Sequence, residues 1–129
     1  MKTLSFLLLS VLFLVGCGQS LQADAHREAA ARVAAGKAVL VDVREPAEWA
    51  DTGVAGPAIL LSKSSFDAGS AEWRKFLTDN RDKEIILMCR SGNRSGQLAR
   101  VLAQQGLRTT NLGGFSAWKS AGMETRKVP

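Results

Sequence analysis

Thiols and imidazoles are scarce in this sequence, which has two cysteines and one histidine among its 129 residues. If Cys17 is modified in the way described below, Cys89 is the only free thiol and can form no disulfide within the chain. A lone free thiol in an oxidising compartment is a liability unless it has a use. The single histidine, His26, lies near the N-terminus and has no obvious catalytic setting. Nothing resembles a metal cluster or a nucleotide-binding loop, so we expect no metal and no cofactor.

Stripes of basic charge, repeats and internal linkers are also missing. The Lys and Arg residues are dispersed along the chain, which lacks the usual signature of a nucleic-acid-binding protein. The formal net charge is +5, and without residues 1–16, which carry one basic residue, it is +4. A basic balance of this size suits anionic small molecules or an anionic membrane surface. With 129 residues, the chain is long enough for one domain and not for two.

The most apolar part of the chain is its N-terminus. Residues 4–15 are apolar apart from two serines, follow the single Lys2, and lead into Gly16 and Cys17. A cationic start and an apolar run too short for a stable membrane anchor are typical of an export signal. The alternative is a buried N-terminal helix, but nothing in this stretch alternates with charge as a surface helix would. We therefore expect residues 1–16 to be a signal peptide.

The end of the apolar run, residues 14–17, reads Leu-Val-Gly-Cys and resembles the lipobox of bacterial lipoproteins. The resemblance implies cleavage before Cys17, acylation of the Cys17 thiol and a lipidated tether over residues 17–23. Several acyl chains hold a protein to a membrane far more firmly than one chain does. Gly18 stands where such lipoproteins carry aspartate for inner-membrane retention, so the outer membrane is favoured. The expected location is periplasmic and lipid-anchored, with a plain signal peptide cut elsewhere as the alternative.

Helix and strand patterns alternate over residues 24–129. Helices are expected over residues 24–35, from Pro46, from Ser70, over 95–105 and from Phe115, with Asp24 and Ser70 as N-caps. The expected strands are the runs 38–43, 58–61, 84–88 and 108–112. The residues predicted to face the core are Trp73, Phe76 and Leu77 in the helix from Ser70, and Leu98, Val101 and Leu102 in the helix over 95–105. This alternation predicts an α/β fold in which helices cover both faces of a central parallel sheet.

Cys89 lies at the end of the third predicted strand, before a polar loop and a helix. In open α/β sheets, ligands bind at the carboxyl ends of the strands, where this loop lies. A short loop entering a helix turns several backbone N–H groups toward one point and forms an anion-binding nest. Such donors favour a thiolate and lower the pKa of the cysteine without any histidine. Two arginines and a glycine in the next five residues disfavour the alternative, a buried inert cysteine.

Three motifs resemble the single-domain rhodanese family across nearly all of residues 38–124. They are Val41-Asp42-Val43-Arg44-Glu45-Pro46, the loop Cys89-Arg90-Ser91-Gly92-Asn93-Arg94-Ser95, and Asn111-Leu112-Gly113-Gly114-Phe115-Ser116-Ala117-Trp118. The resemblance implies a rhodanese-like three-layer fold over residues 24–129, with Cys89 as the catalytic nucleophile and residues 90–95 as its substrate-binding loop. Cys89 would take the outer sulfur of thiosulfate or a persulfide donor. It would then pass this sulfur from a persulfide to cyanide or a thiol, including a protein thiol.

Two other functions remain open for the same loop. A sulfur-carrier or sensor module would hold sulfane sulfur on Cys89 for a protein partner without fast turnover. A phosphatase or arsenate reductase would share the fold, but such phosphatases place their arginine at C-x5-R. Here Cys89 and Arg94 are spaced C-x4-R, so the loop is one residue tighter and the arginine is out of register.

Supporting roles are expected for four charged residues near the loop. Arg90 and Arg94 would orient anionic thiosulfate, or else remain solvated loop charges. Asp42 and Arg44 would reach the rim of the site, although a structural ion pair is the favoured interpretation.

The chain departs from the family pattern after Asp51. Residues 52–58 read Thr-Gly-Val-Ala-Gly-Pro-Ala where the family has a Gly-His-Ile-Pro-Gly-Ala-like turn. Residues 52–70 are expected to border the pocket and to influence the choice of acceptor.

Overall fold

The computed structural model describes residues 17–129, so the signal peptide expected over residues 1–16 lies outside the described residues. The helices are α1 (Cys17–Ala34), α2 (Pro46–Thr52), α3 (Lys63–Asp67), α4 (Ala71–Asp79), α5 (Asn93–Gln104) and α6 (Phe115–Ser120). The strands are β1 (Ala38–Asp42), β2 (Val54–Ala55), β3 (Ile59–Leu60), β4 (Glu84–Cys89), β5 (Thr109–Gly114) and β6 (Thr125–Arg126).

The main sheet contains four parallel strands in the order β3-β1-β4-β5. β1 pairs with β4 along its whole length, from Ala38 opposite Glu84 to Asp42 opposite Met88. Every residue of β1 is buried, and so is every residue of β4 after Glu84. Central parallel strands are covered on both faces, which is why these two segments are nearly continuous apolar runs. β2 and β6 form a separate antiparallel pair.

Helices cover both faces of the main sheet. On one face, α4 and α5 pack Trp73 and Leu102 against alternate residues of β1 and β4. On the other face, α1 and α6 pack Ala29 and Trp118 against the remaining residues of the same strands. Burial of a large apolar side chain contributes about 1.5–3 kcal/mol, so the two clusters are the main source of stability. The expected α/β fold, with a central parallel sheet between helices, is confirmed.

The helix predicted after Ser70 forms α4. The Ser70 Oγ accepts a hydrogen bond from the Trp73 backbone N–H at 3.3 Å, as a side-chain cap should. α4 buries Trp73 and Phe76, and the Trp73 indole donates to the Ser62 carbonyl at 2.9 Å. The apolar spacing of this segment therefore identified both its helical state and its inward face.

The predicted start of α1 is wrong. Asp24 does not cap the helix, because α1 already begins at Cys17 and passes through residues 17–23. The Asp24 carboxylate instead pairs with Arg27, three residues further along the helix, at 3.0 Å. An aspartate can cap a helix or pair with an arginine one turn further along it. Which of the two it does depends on where the helix begins.

The predicted inward face of α5 is wrong at Val101, which is 40% exposed. The buried residues of α5 are Ser95, Leu98, Ala99 and Leu102. This set also has helical spacing, but it is turned so that two small side chains face the sheet. Small side chains at these positions let α5 lie close to β4 and β5. The prediction considered only large apolar side chains and so missed this face.

The short elements β2, β6 and α3 were not predicted. β2 and β6 have two residues each and form through pairing between distant segments, Val54 with Arg126 and Ala55 with Thr125. α3 has five residues and is capped by Ser62, whose Oγ accepts from the Ser65 N–H at 3.2 Å. Elements this short carry too few residues for a periodic pattern. Between residues 17 and 129, no helix has the length and apolarity needed to span a membrane.

Candidate active site

The carboxyl ends of the central strands meet at the site. β4 ends at Cys89, which lies opposite Gly114 at the end of β5. On the other side of β4, β1 ends at Asp42 opposite Met88, and the Val43 N–H donates to the Met88 carbonyl at 2.9 Å. Parallel strands place the ends of separate sequence segments at one edge, so the three motifs of the sequence come together here.

The loop from Cys89 to α5 packs tightly against the end of β5. Gly92 has φ +92°, a left-handed conformation that favours glycine, and a Cβ there would lie 3.2 Å from the Gly113 Cα. A Cβ on Gly114 would overlap the Arg90 carbonyl oxygen. The loop therefore needs glycine at both contacts, which explains why the cysteine motif and the Gly113-Gly114 pair occur together.

Cys89 sits at the bottom of this loop and is 1% exposed. Its Sγ accepts hydrogen bonds from the Gly92 N–H at 3.0 Å and from the Ser95 hydroxyl at 3.3 Å. Burial raises the pKa of the Cys89 thiol, but the Ser95 hydroxyl and the N–H groups of Ser95, Ser91 and Gly92 together lower it below its usual value. The donors therefore stabilise a thiolate, which is the nucleophilic form. No histidine takes part in these hydrogen bonds.

Asn111 orients the hydroxyl that faces Cys89, a role that sequence reasoning did not assign. The Ser95 hydroxyl lies 2.7 Å from Asn111 Oδ1, so its single proton is donated either to this oxygen or to Cys89 Sγ at any one time. The Asn111 Oδ1 also accepts from the Gly113 N–H at 3.1 Å. The Asn111 Nδ2 donates to the Gly92 carbonyl at 2.9 Å, which fixes the orientation of the amide. The third motif, which begins at Asn111, could have indicated this residue.

Arg94 is held by Glu48 of α2. Its two terminal nitrogens donate to the two Glu48 carboxylate oxygens at 2.7 and 2.8 Å. This pairing lowers the pKa of Glu48 to about 2, against the opposing effect of burial, and the Glu45 N–H also contributes. The same hydrogen bonds raise the pKa of Arg94, and the negative charges of Glu48 and Cys89 raise it further, whereas burial lowers it. Glu48 is a site residue that sequence reasoning missed.

Asp42 and Arg44 form a buried ion pair, with side chains 0% and 2% exposed. The Arg44 Nη2 lies 2.7 Å from Asp42 Oδ2, and the guanidinium also donates to the Thr52 hydroxyl and the Gly53 carbonyl. The Phe115 ring lies 4.4 Å from the guanidinium carbon. These contacts use most of the N–H groups of the guanidinium, so the two residues form a structural ion pair, although Arg44 also lines the cleft described below.

The other loop residues face outward. Arg90, Ser91 and Asn93 are exposed, and the Asn93 side chain accepts from Gln97 at 3.2 Å. Arg90 and Ser91 line an open cleft of about 720 Å³ between α2 and α6, here called the loop cleft. Its charged lining residues are Arg44, Glu48, Asp51, Arg90 and Lys119.

The divergent segment takes only a small part in the cleft. Of residues 52–70, the lining includes Thr52 alone among the described positions. The segment turns away because β2 pairs with β6 and α3 packs on α5. The expectation that residues 52–70 border the pocket is therefore wrong for all but its first residue.

His26 lies closer to the loop than its sequence position suggested. It is 3% exposed on α1, and its Nδ1 donates to the Gln22 carbonyl at 2.6 Å. It helps to line a smaller cavity of about 310 Å³ that Arg90 and Ser91 also border. Over residues 17–129, no hydrogen bond joins His26 to Cys89, and no group of three or more His, Cys, Asp or Glu residues could hold a metal ion.

Comparison with known proteins agrees with this geometry. The family model of the rhodanese-like domain matches residues 25–121. The chain is 36% identical over 81 residues to the provisionally named sulfurtransferase YtwF of Bacillus subtilis (strain 168), covering 62% of this chain and 72% of that one.

Two solved structures share the fold with 25% sequence identity. A rhodanese-like domain protein from Staphylococcus aureus aligns with a TM-score of 0.59 over 79% of this chain and 95% of the other. A rhodanese-related protein from Thermoplasma volcanium aligns with a TM-score of 0.64 over 78% of this chain and 93% of the other. The chain therefore belongs to the rhodanese-like domain family.

Proposed function

We propose that the protein is a thiosulfate sulfurtransferase, in which Cys89 carries sulfane sulfur between a small anionic donor and a thiophilic acceptor. The observation that carries this proposal is the set of donors around Cys89 Sγ, at 3.0 Å from the Gly92 N–H and 3.3 Å from the Ser95 hydroxyl. These donors lower the pKa of the Cys89 thiol and so favour the thiolate, which is the nucleophilic form. The family membership and the name of the B. subtilis relative support a sulfurtransferase.

In the first half of the proposed reaction, the Cys89 thiolate attacks the outer sulfur of thiosulfate. A bond forms between Sγ and this sulfur, the S–S bond of thiosulfate breaks, and sulfite leaves with the electron pair. The product is a Cys89 persulfide, whose negative charge the loop N–H groups can continue to stabilise. The net positive charge of the chain favours the approach of the anionic donor.

In the second half, a cyanide ion or a thiolate attacks the outer sulfur of the persulfide. The new bond joins the acceptor to that sulfur, and the bond to Cys89 Sγ breaks. The electron pair returns to Sγ as a thiolate, which the same donors favour as a leaving group. The cycle predicts ping-pong kinetics and uses no cofactor.

The position of Arg94 favours sulfur transfer over phosphoryl transfer. Both of its terminal nitrogens bind Glu48, so a phosphoryl group at Cys89 would have to compete with this carboxylate for the guanidinium. The short C-x4-R spacing acts in the same direction. Release of phosphate from an aryl phosphate by the purified protein would contradict this preference.

Intact-mass spectrometry of residues 17–129 after thiosulfate treatment tests the proposal directly. We expect a one-sulfur adduct on Cys89 that cyanide removes as thiocyanate, and steady-state thiocyanate formation that the Cys89→Ser variant abolishes. Absence of the adduct, or turnover by Cys89→Ser, would contradict the mechanism. An adduct that forms without turnover on any acceptor would instead identify a sulfur-carrier or sensor module.

We further propose that the protein is exported and anchored by lipid on Cys17, facing the periplasm. The lipobox-like residues 14–17 at the end of an apolar run support this location. Expression of the full chain in a Gram-negative bacterium tests it, with membrane fractionation and mass spectrometry of the mature N-terminus. We expect an acylated Cys17 in the membrane fraction, and release of the Cys17→Ser variant from it. A mature chain that begins elsewhere and is soluble would overturn the proposal.

A further inference from the structure

One amide on β5 lies against both of the residues that donate hydrogen bonds to the Cys89 sulfur. Asn111 Nδ2 donates to the Gly92 carbonyl at 2.9 Å, and Asn111 Oδ1 lies 2.7 Å from the Ser95 hydroxyl. The Gly92 N–H and the Ser95 hydroxyl are in turn the groups that donate to Cys89 Sγ. Asn111 is therefore placed to act on the sulfur through these two neighbours.

The orientation of the Asn111 amide is fixed by the groups around it. The Gly113 N–H donates to Oδ1 at 3.1 Å, and the Gly92 carbonyl accepts from Nδ2. A flipped amide would set donor against donor and acceptor against acceptor, so only one orientation satisfies these groups. Gly96 leaves room for the amide, because a Cβ at that position would lie 2.9 Å from Asn111 Nδ2. The atom that faces the Ser95 hydroxyl is therefore an acceptor and never a donor.

The Ser95 hydroxyl has one proton and two acceptors within reach. Ser95 is 0% exposed, and its oxygen lies 2.7 Å from Asn111 Oδ1 and 3.3 Å from Cys89 Sγ. An uncharged sulfur is a weak acceptor and a thiolate is a strong one, so the charge on Sγ decides which acceptor receives the proton. When Cys89 is a thiol, the shorter contact holds the serine proton, and the thiol S–H can donate to Ser95 Oγ.

We propose that Asn111 is a positioning residue that holds the Ser95 hydroxyl proton while Cys89 Sγ is uncharged and releases it when Sγ is a thiolate. This inference rests on the proposed sulfurtransferase function, in which Sγ alternates between a thiolate and the inner sulfur of a persulfide. The hydroxyl donates to Sγ before the attack on the donor and again as Sγ leaves the persulfide. Between these steps it donates to Asn111 Oδ1. Ser95 keeps its proton throughout, and only rotation about the Cβ–Oγ bond is needed.

This alternation has two consequences for the reaction. The buried Ser95 hydroxyl is paired in both states, whereas a buried hydroxyl without an acceptor would destabilise the persulfide. The hydroxyl also turns toward Cys89 Sγ only as negative charge develops there, which favours Sγ as a leaving group. Because Asn111 competes with Sγ for one proton, it limits how far the Ser95 hydroxyl lowers the thiol pKa.

Asn111→Leu tests this competition, because leucine has a similar volume and no hydrogen-bonding group. The Ser95 hydroxyl is then left to Cys89 Sγ, and the pKa of the Cys89 thiol should fall. Alkylation by iodoacetamide at a pH below that pKa should become about two- to tenfold faster, the effect of one neutral hydrogen bond. A residue that only stiffens the loop would act in the opposite direction, since loosened donors raise the thiol pKa. A raised or unchanged pKa would overturn the proposal.

Combination with Ser95→Ala shows whether the effect passes through the hydroxyl. In the Ser95→Ala background, Asn111→Leu should leave the pH profile of alkylation unchanged, because no serine proton remains to be released. An equal effect in both backgrounds would contradict the proposal. Asn80→Leu is the matched control, since the Asn80 amide also donates to a backbone carbonyl, that of Phe76 at 2.8 Å, and caps α4 away from the site. It should leave the Cys89 profile as in the wild type.

Asn111→Asp keeps the proposal testable if Asn111→Leu does not fold. The carboxylate retains an acceptor for the Ser95 hydroxyl and the Gly113 N–H, and it holds the serine proton more firmly than an amide oxygen does. Ser95→Ala, which should raise the thiol pKa in the wild-type chain, should then have little effect. An undiminished effect of Ser95→Ala would overturn the competition for the proton.

Persulfide formation tests the other position of the hydroxyl. At a fixed ratio of sulfite to thiosulfate, intact-mass spectrometry should find severalfold less Cys89 persulfide in Asn111→Leu than in the wild type, because the buried Ser95 hydroxyl then lacks its acceptor. Equal amounts would overturn the alternation. Alkylation needs no sulfur donor, so the two proposals fail separately. If the wild type forms no persulfide, the sulfurtransferase proposal is wrong, and the alkylation profiles still decide whether Asn111 competes with Cys89.

Discussion

Two arginine–carboxylate pairs lie beside the active-site loop, and they differ chiefly in burial. The Arg44–Asp42 pair has side chains 2% and 0% exposed, whereas the Arg94–Glu48 pair has side chains 31% and 28% exposed. Both pairs have the same closest N–O distance, 2.7 Å. The buried pair ties the end of β1 to the chain after α2, while the half-exposed pair ties the start of α5 to α2.

This difference in burial decides how much each pair contributes to the stability of the fold. A buried charge without its partner is costly, so the Arg44–Asp42 pair is a condition for the fold. The Arg94–Glu48 pair lies in higher dielectric, where its removal costs little stability. Since both arginines are engaged by carboxylates, the thiolate of Cys89 depends on backbone N–H groups and the Ser95 hydroxyl.

Asp42→Ala should have the largest effect on stability. It leaves the Arg44 guanidinium buried without its carboxylate, so the free energy of unfolding should fall by about 3–5 kcal/mol. Urea unfolding followed by tryptophan fluorescence measures it. Asp79→Ala breaks the exposed pair with Lys75 and is the control, with an expected loss below about 1 kcal/mol. Equal losses of unfolding free energy in the two variants would show that burial does not increase the contribution of an ion pair to stability.

Apart from replacement of Cys89 itself, Ser95→Ala should have the largest effect on reactivity among variants that keep both ion pairs. It removes the hydroxyl that donates to Cys89 Sγ, so the pKa of the Cys89 thiol should rise. Hydrogen bonds to charged groups contribute about 1.5–3 kcal/mol, so persulfide formation at neutral pH should slow about tenfold or more. The pH dependence of alkylation by iodoacetamide measures the thiol pKa, with exposed Ser120→Ala as the control. An unchanged profile would mean that the backbone N–H groups suffice.

Arg94→Ala should have a smaller effect on the reaction. Loss of its positive charge should raise the KM for thiosulfate about two- to fivefold, because the guanidinium is partly exposed and already paired. Steady-state kinetics of thiocyanate formation measure this. An unchanged KM would favour a purely structural role for Arg94. A loss of kcat larger than that in Ser95→Ala would show that the arginine acts directly on the reacting sulfur.

Glu48→Gln should have the smallest effect, and one that depends on pH. The pKa of Glu48 is about 2 in the folded protein and 4.5 without the pairing, so its stabilisation is complete above pH 4.5 and is lost as pH falls toward 2. The wild type should exceed the variant in unfolding free energy by less than about 1 kcal/mol at pH 7. The gap should shrink at pH 3. Urea unfolding at both pH values measures it, and a gap that widens at pH 3 would contradict this linkage.

The sequence was sufficient for the main elements and for the place of the candidate nucleophile in the fold. The apolar runs of β1 and β4 and the spacing of Trp73 and Phe76 predicted two central strands and α4, because burial on both faces or on one face leaves a regular pattern. Cys89 was predicted from its neighbours, since a polar, glycine-containing loop after an apolar strand has few structural uses. The strands β2 and β6, and a helix face lined by small residues, left no such pattern.

Charge partners were harder to predict than positions. Asp24 was expected to cap a helix and instead pairs with Arg27. Arg94 was expected to orient thiosulfate or to be solvated, yet it binds Glu48, 46 residues earlier in the chain. The partner of a long, flexible side chain depends on which elements lie within its reach, and sequence separation carries no information about that.

Local sequence thus determined that the chain is a parallel α/β domain and that its candidate nucleophile, Cys89, stands at the end of β4 before a polar loop. Periodicity and turn chemistry act over a few residues, so they can be interpreted without the fold. Tertiary structure alone decided how that cysteine is activated. Packing of α5 on the end of β5 brings Asn111 to Ser95, and Ser95 to the Cys89 sulfur. The fold also places α2 and α6 beside the loop, where Asp51 and Lys119 line a cleft together with Arg90 and Ser91.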